Sequence, residues 1–169
     1  MGAAWLGSTA DVSSGCGGRV IANRQDLEMK PQILVIDDEQ PLCDYLDCYL
    51  TRHGFDVTTT TRSDEGLRLL DDHPYQLVIL DVVLKDGDGL ELLTRIIRAH
   101  PALPVLMLTG LGFQEEILLE AKSRGAAGYL SKSLTSTHLL LELHRLLREC
   151  GSDPSHRKFR IVGSEASHQ

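Results

Sequence analysis

The chain has 169 residues, 42% of them hydrophobic, which suffices for one buried core with residues to spare. With 24 acidic against 17 basic residues the formal net charge is -7, which argues against binding of nucleic acid or an anionic membrane by this chain. No apolar run approaches the ~20 residues that span a bilayer, no signal-peptide pattern opens the chain, and Cys16, Cys43, Cys48 and Cys150 form no C-x-x-C pair, so the expectation is a cytoplasmic protein with reduced thiols.

Residues 1–30 are rich in Gly, Ser and Ala, as in Ser13-Ser14-Gly15-Cys16-Gly17-Gly18, without helical or strand periodicity, and read as a flexible leader. An upstream start codon accounts for them equally well, because Met29 lies three residues before the first strand-like run. Leu6 occupies the position where a myristoylation motif needs Ser or Thr.

From Gln32 onward, five β-type runs alternate with segments of helical period: Ile33–Ile36, Phe55–Thr59, Leu77–Leu80, Val105–Leu108 and Ala127–Leu130. All but the second are nearly continuous hydrophobics, the pattern of strands buried on both faces. Leu42, Tyr45, Leu46, Tyr49 and Leu50 predict an apolar stripe on the first helix, which Gly54 can end. The later helices carry Leu67 and Leu70; Leu93, Ile96 and Ile97; Ile117, Leu118 and Ala121; and Leu139, Leu143, Leu146 and Leu147. Strict alternation implies an α/β doubly wound parallel sheet over residues 31–150. Residues 151–169 do not repeat the pattern and read as a tail or the start of a linker, and the basic group His156, Arg157, Lys158 and Arg160 as exposed rather than as a nucleic-acid contact.

Ligands of such sheets bind beyond the carboxyl ends of the strands. There the chain places Asp37-Asp38-Glu39, Asp81, Thr109 and, after the fifth strand, Lys132. Clustered carboxylates need a proton, a cationic partner or a metal, and oxygen donors without His or Cys favour magnesium. One carboxylate can then attack a phosphoryl donor, with Lys132 neutralising charge and Thr109 donating a hydrogen bond. Asp37-Asp38-Glu39 alone is equally well a solvated helix start, Thr109 an ordinary strand end and Tyr129 plain core; their company favours a site.

Four stretches in this order, Ile33–Glu39, Leu77–Asp81 with Gly89 eight residues on, Leu108-Thr109 and Gly128–Lys132, resemble the receiver domains of two-component response regulators, over roughly residues 31–150. The resemblance implies a five-stranded flavodoxin-like sheet in the order 2-1-3-4-5. It implies Asp81 as phosphoacceptor, with Mg2+ held by Asp37, Asp38, Asp81 and the backbone carbonyl of Val83. Thr109 and Lys132 match the switch hydroxyl and the lysine, and Tyr129 the aromatic that turns inward with the threonine.

The chain departs from the pattern at Lys85 and Ser133, both of which stand where receivers often have proline. Because serine prefers a trans peptide, Lys132 is expected to sit differently. The loop Lys85–Gly89 is expected to be polar and flexible, Gly110 to leave room for the phosphoryl group, and apolar Val83 and Leu111 to make loss of phosphate slow.

The leading expectation is a stand-alone, chemotaxis-type switch that is no enzyme beyond its own phosphoryl transfer and dephosphorylation. Its donor would be a histidine kinase or histidine phosphotransfer protein and its output a protein partner, bound through the fourth helix, fifth strand and fifth helix, or a homodimer through that face. The alternative is a phosphorylation-independent interaction module that keeps the fold. A phosphoaspartate-type hydrolase lacks its second carboxylate at Val83, nucleotide-binding glycine motifs are absent, and the seven histidines are scattered as surface residues.

Overall fold

The computed structural model describes residues 30–112, 114–149 and 159–162. The elements run β1 (Gln32–Ile36), α1 (Gln40–Arg52), β2 (Asp56–Thr60), α2 (Ser63–Asp72), β3 (Leu77–Asp81), a short hairpin of β4 (Val83–Leu84) and β5 (Gly87–Asp88), α3 (Gly89–Ala99), β6 (Val105–Thr109), α4 (Glu115–Ser123), β7 (Gly128–Ser131), α5 (Ser136–Glu149) and β8 (Arg160–Val162). The main sheet is ordered β2-β1-β3-β6-β7-β8, and every pairing in it is parallel. Its first five strands reproduce the expected flavodoxin-like order. β8 is a sixth strand inside the segment read as tail, and it pairs Arg160, Ile161 and Val162 with Gly128, Tyr129 and Leu130.

Strand alternation divides the core between two faces. Leu34, Ile36, Val78, Leu80 and Met107 pack with Leu70 of α2, Leu93 and Ile96 of α3, and Leu118 and Ala121 of α4. Ile33, Val35, Leu77, Ile79 and Leu106 pack with Leu46 and Leu50 of α1 and with Leu139, Leu143 and Leu146 of α5. Each such side chain contributes roughly 1.5–3 kcal/mol by leaving water, so this double burial is the main source of stability. Tyr45 corrects the stripe expected on α1: it is 48% exposed, and Cys43 takes the buried position instead.

Two glycines fix the path of the chain. Gly54 adopts φ 90° just beyond α1 and lets the chain turn into β2. Gly89 opens α3 where a Cβ would lie 2.0 Å from the Asp81 carbonyl oxygen and 2.7 Å from that of Val82, so only glycine lets α3 start against the end of β3. The Asp88 carboxylate caps that helix by accepting from the Leu90 N–H at 2.8 Å.

The loop expected to be flexible is instead folded as the β4–β5 hairpin. It is tied to α2 by Asp86, whose carboxylate accepts from the Ser63 N–H at 2.8 Å and the Ser63 hydroxyl at 2.6 Å. The leader, Cys16, Cys150 and the basic residues His156, Arg157 and Lys158 lie outside the described residues. Among the described residues no helix is long and apolar enough to cross a membrane.

Candidate functional site: an acidic pocket gripped by lysine

β1, β3, β6 and β7 end side by side, and their last residues form one pocket. Asp37 (1% exposed) follows β1 and Asp81 (4%) closes β3, while Thr109 (0%) closes β6. The backbone frame is tight: the Asp37 N–H donates to the Thr60 carbonyl at 3.1 Å, the Val82 N–H to Leu108 at 3.1 Å and the Lys132 N–H to Thr109 at 2.7 Å. Asp37 also shapes the turn into α1, since its Oδ1 accepts the Glu39 N–H at 3.0 Å and its carbonyl accepts the Cys43 thiol at 3.2 Å. Burial pushes that thiol up to about 11, with the Asp37 and Asp44 charges adding to the effect.

Lys132 is the hub. Its Nζ lies 2.8 Å from Asp37 Oδ2, 2.8 Å from Asp81 Oδ2 and 2.7 Å from Glu39 Oε1. With Ser133 after it, the turn that carries Lys132 is held by hydroxyl and backbone hydrogen bonds. The Ser131 hydroxyl meets that of Ser133 at 2.8 Å and accepts the Ser133 N–H at 3.3 Å, and the Leu134 N–H donates to the Ser131 carbonyl at 3.1 Å. Burial works against the Lys132 charge, yet its three carboxylate partners hold its pKa above the ordinary lysine value. The Asp37 pKa is raised as well, which for an acid favours the neutral form: burial raises it, the Asp81 charge adds to this, and the Lys132 and Glu39 N–H contacts offset it only in part.

Asp37, Asp38, Glu39 and Asp81 can each offer an oxygen, and these oxygens lie within 4.8 Å of one another. Four hard oxygen donors without His or Cys fit a magnesium ion. The Val83 N–H donates to Asp81 Oδ1 at 3.3 Å, and its side chain is half exposed. Tyr129 is fully buried with its phenol beside the Thr109 hydroxyl; burial raises its pKa and the Thr109 hydrogen bond opposes this. The Thr109 hydroxyl also accepts the Leu111 N–H at 3.1 Å. At Gly110 a Cβ would stand 3.6 Å from Lys132 Cδ, in ordinary contact.

Two participants stand outside the catalytic and metal set that the resemblance implies. Glu39 shares Lys132, and its place directly after the acidic pair was the available signal. Lys85 lies 3.3 Å from Asp38 Oδ2 and donates to the Asp38 carbonyl at 3.1 Å. Its signal in the sequence is a cation four residues after Asp81.

The fold and the pocket together define a doubly wound α/β protein with an acidic cluster and a lysine at the carboxyl edge of its sheet. Residues 33–144 match the response regulator receiver domain, and the chain belongs to that family of two-component signalling proteins. It is 36% identical over 118 residues to Protein PetR of Rhodobacter capsulatus, covering 70% of this chain and 49% of that protein. It is 31% identical over 124 residues to the transcriptional regulatory protein SrrA of Staphylococcus aureus, covering 73% and 51%. The chain thus spans about half the length of these curated relatives. Among solved structures, a CheY-like receiver domain protein from Methanospirillum hungatei JF-1 superposes with TM-score 0.70 at 26% identity, over 73% of this chain and 98% of that one. The receiver domain of NtrX from Brucella abortus gives TM-score 0.65 at 36% identity, over 69% and 98%.

Proposed function

We propose that Asp81 accepts a phosphoryl group from a histidine kinase or histidine phosphotransfer protein, and that the charge added there controls binding to a downstream protein. The observation that carries this reading is the Lys132 ammonium bridging Asp81, Asp37 and Glu39 within 2.8 Å. An acid-rich pocket of this kind costs the fold stability, and clusters kept at such a cost concentrate at functional sites. Asp37, Asp38 and Asp81, with the Val83 carbonyl, are the residues that would hold magnesium, and Glu39 is near enough to join them. When bound, the ion supplies positive charge to the phosphoryl oxygens.

The protein's own residues do the rest. An Asp81 carboxylate oxygen attacks phosphorus, the P–N bond to the donor imidazole breaks, and that nitrogen keeps the bonding pair. Lys132 balances the charge gained on Asp81, and the Thr109 hydroxyl turns to donate to a phosphoryl oxygen. Tyr129, packed beside Thr109, follows it and repacks the face formed by α4, β7 and α5, which serves a partner or a homodimer in the cytoplasm. Half-exposed Val83 and Leu111 border the pocket with apolar groups and slow the attack of water on the phosphoryl group.

The Lys85–Asp38 contact favours a second reading, a module that works without phosphorylation, because it supplies a cation where magnesium would bind. Incubation with magnesium and acetyl phosphate, followed by intact mass, separates the two. Magnesium-dependent gain of one phosphoryl group, lost in Asp81→Asn, is the expected result. No gain, together with no binding of beryllofluoride, supports the phosphorylation-independent module.

A further inference from the structure

β7 is buried along its whole length, from Gly128 to Ser131, although nothing beyond it in the sheet belongs to the alternating α/β pattern. Its outer edge is covered by three residues of the chain's own C-terminal segment, in register Gly128↔Arg160, Tyr129↔Ile161 and Leu130↔Val162. An uncovered edge would leave a row of backbone groups ready to pair with another chain. At Gly128 a Cβ would stand 3.0 Å from Glu142 Oε1 and from Leu106 Cδ1, so a side chain there would press on α5 and β6, whereas the Arg160 carbonyl oxygen at 3.6 Å would be in ordinary contact. Glu142, 2% exposed, is held by Arg145, whose guanidinium also donates to the Ala127 carbonyl at 3.3 Å and so fixes the start of β7 from behind. Phe159 anchors the segment: it packs against the α2–α3–α4 core, and Lys122 of α4 lies 5.8 Å from its ring centroid.

We propose that the outer edge of β7 is a docking site for an extended segment, filled in cis by residues 159–162, and that this strand is loosened when Asp81 is loaded. The link to Asp81 rests on the phosphoacceptor reading; the docking does not. It follows from the strand they share. β7 holds Tyr129, in register with Ile161 and beside Thr109, and the residue after β7 is Lys132, bound to Asp81 at 2.8 Å. A change in what Lys132 and Thr109 bind therefore reaches the docked strand within three residues. A three-pair ladder at the end of a sheet is among the first parts of a fold to open.

Hydrogen exchange read by mass spectrometry on the full chain tests this. In the double variant Phe159→Asp with Ile161→Pro, amides of 128–131 should exchange at least tenfold faster while β1 and β3 keep their protection; unchanged exchange at 128–131 overturns the docking. If β1 and β3 also lose protection, Phe159→Ala decides instead, with about threefold faster exchange at 128–131 expected and no change overturning the docking. Dilution should leave the wild-type pattern unchanged with a monomer mass, whereas concentration-dependent protection with a dimer mass overturns occupation in cis. Magnesium and beryllofluoride should slow exchange across 77–84 and speed it at 128–131. Slowing at 77–84 alone overturns the link to Asp81, whereas no effect at 77–84 counts against the phosphoacceptor reading and leaves the docking to the variants.

Discussion

Asp37 is almost wholly buried beside a second carboxylate, and its ionised form is retained at a cost to the fold. Asp37→Asn should therefore raise the stability of the metal-free chain by ~1 kcal/mol at neutral pH, while removing the stabilisation that magnesium gives. The sign with pH follows from the raised native pKa. The native state binds this proton more tightly than the unfolded chain does, so wild type gains on the variant as pH falls through the raised value, and the gap closes in acid. Urea titrations of both proteins between pH 4 and pH 7 (roughly the carboxylate range) check this. Lys85 offers a second test. Its side chain is mostly exposed, so its pairing with Asp38 is weak, and Lys85→Ala should tighten magnesium binding by only about two- to fivefold in calorimetry. Site residues were legible in the sequence where the strand ends announced them, as at Asp81 and Asp37. Lys85 was not, because its contact depends on a hairpin that brings it back over Asp38, and no local pattern encodes that approach.

At the scale of elements, the helices and strands were legible because burial on one or both faces imposes periods of 3.6 and 2 on the hydrophobic residues. The hairpin β4–β5 was not, since Lys85, Asp86 and Gly87 have the composition of a flexible loop, and its order comes from a partner 23 residues away, Ser63. Asp86→Ala should cost ~0.5–1 kcal/mol, by removing an acceptor from the first turn of α2. The Ser63 hydroxyl, then its N–H, hold the Asp86 pKa below the ordinary carboxylate range. This contribution is therefore present above the unfolded pKa and is lost as pH falls through the lowered native one; denaturation of wild type and variant at pH 7 and in acid would show the difference shrink. Gly89→Ala tests the junction of β3 with α3. The added methyl meets main-chain oxygens that cannot turn aside, and a loss of ~3 kcal/mol in urea denaturation is expected, with Asp81 displaced and magnesium binding weakened.

For the whole molecule, strict β–α alternation carried the topology of the first five strands, because parallel strands joined by helices have few ways to pack. The sixth strand escaped it. Arg160-Ile161-Val162 is too short to show a period, and only its pairing with β7 makes it a strand. Binding of magnesium to the folded chain alone should stabilise the molecule as a unit, by ~2.7 kcal/mol at a hundredfold excess over Kd. A rise in melting temperature with magnesium that disappears in Asp38→Asn is the expected readout, and a wild type indifferent to the ion would remove magnesium from the account.

The pairing of four acids with two lysines in the pocket also limits how the signal can travel. A divalent ion adds two positive charges, and an acyl phosphate adds about one negative charge beyond that of the carboxylate it replaces. The fully loaded protein therefore ends within one unit of the formal charge with which it began, and salt screens what remains beyond about 8 Å. On the proposed reading, a partner approaching from solvent would meet nearly the same electric field before and after phosphorylation. It has to read the change by touch, through the outline of the surface it docks on, so discrimination between the two states should persist at salt concentrations that abolish long-range attraction.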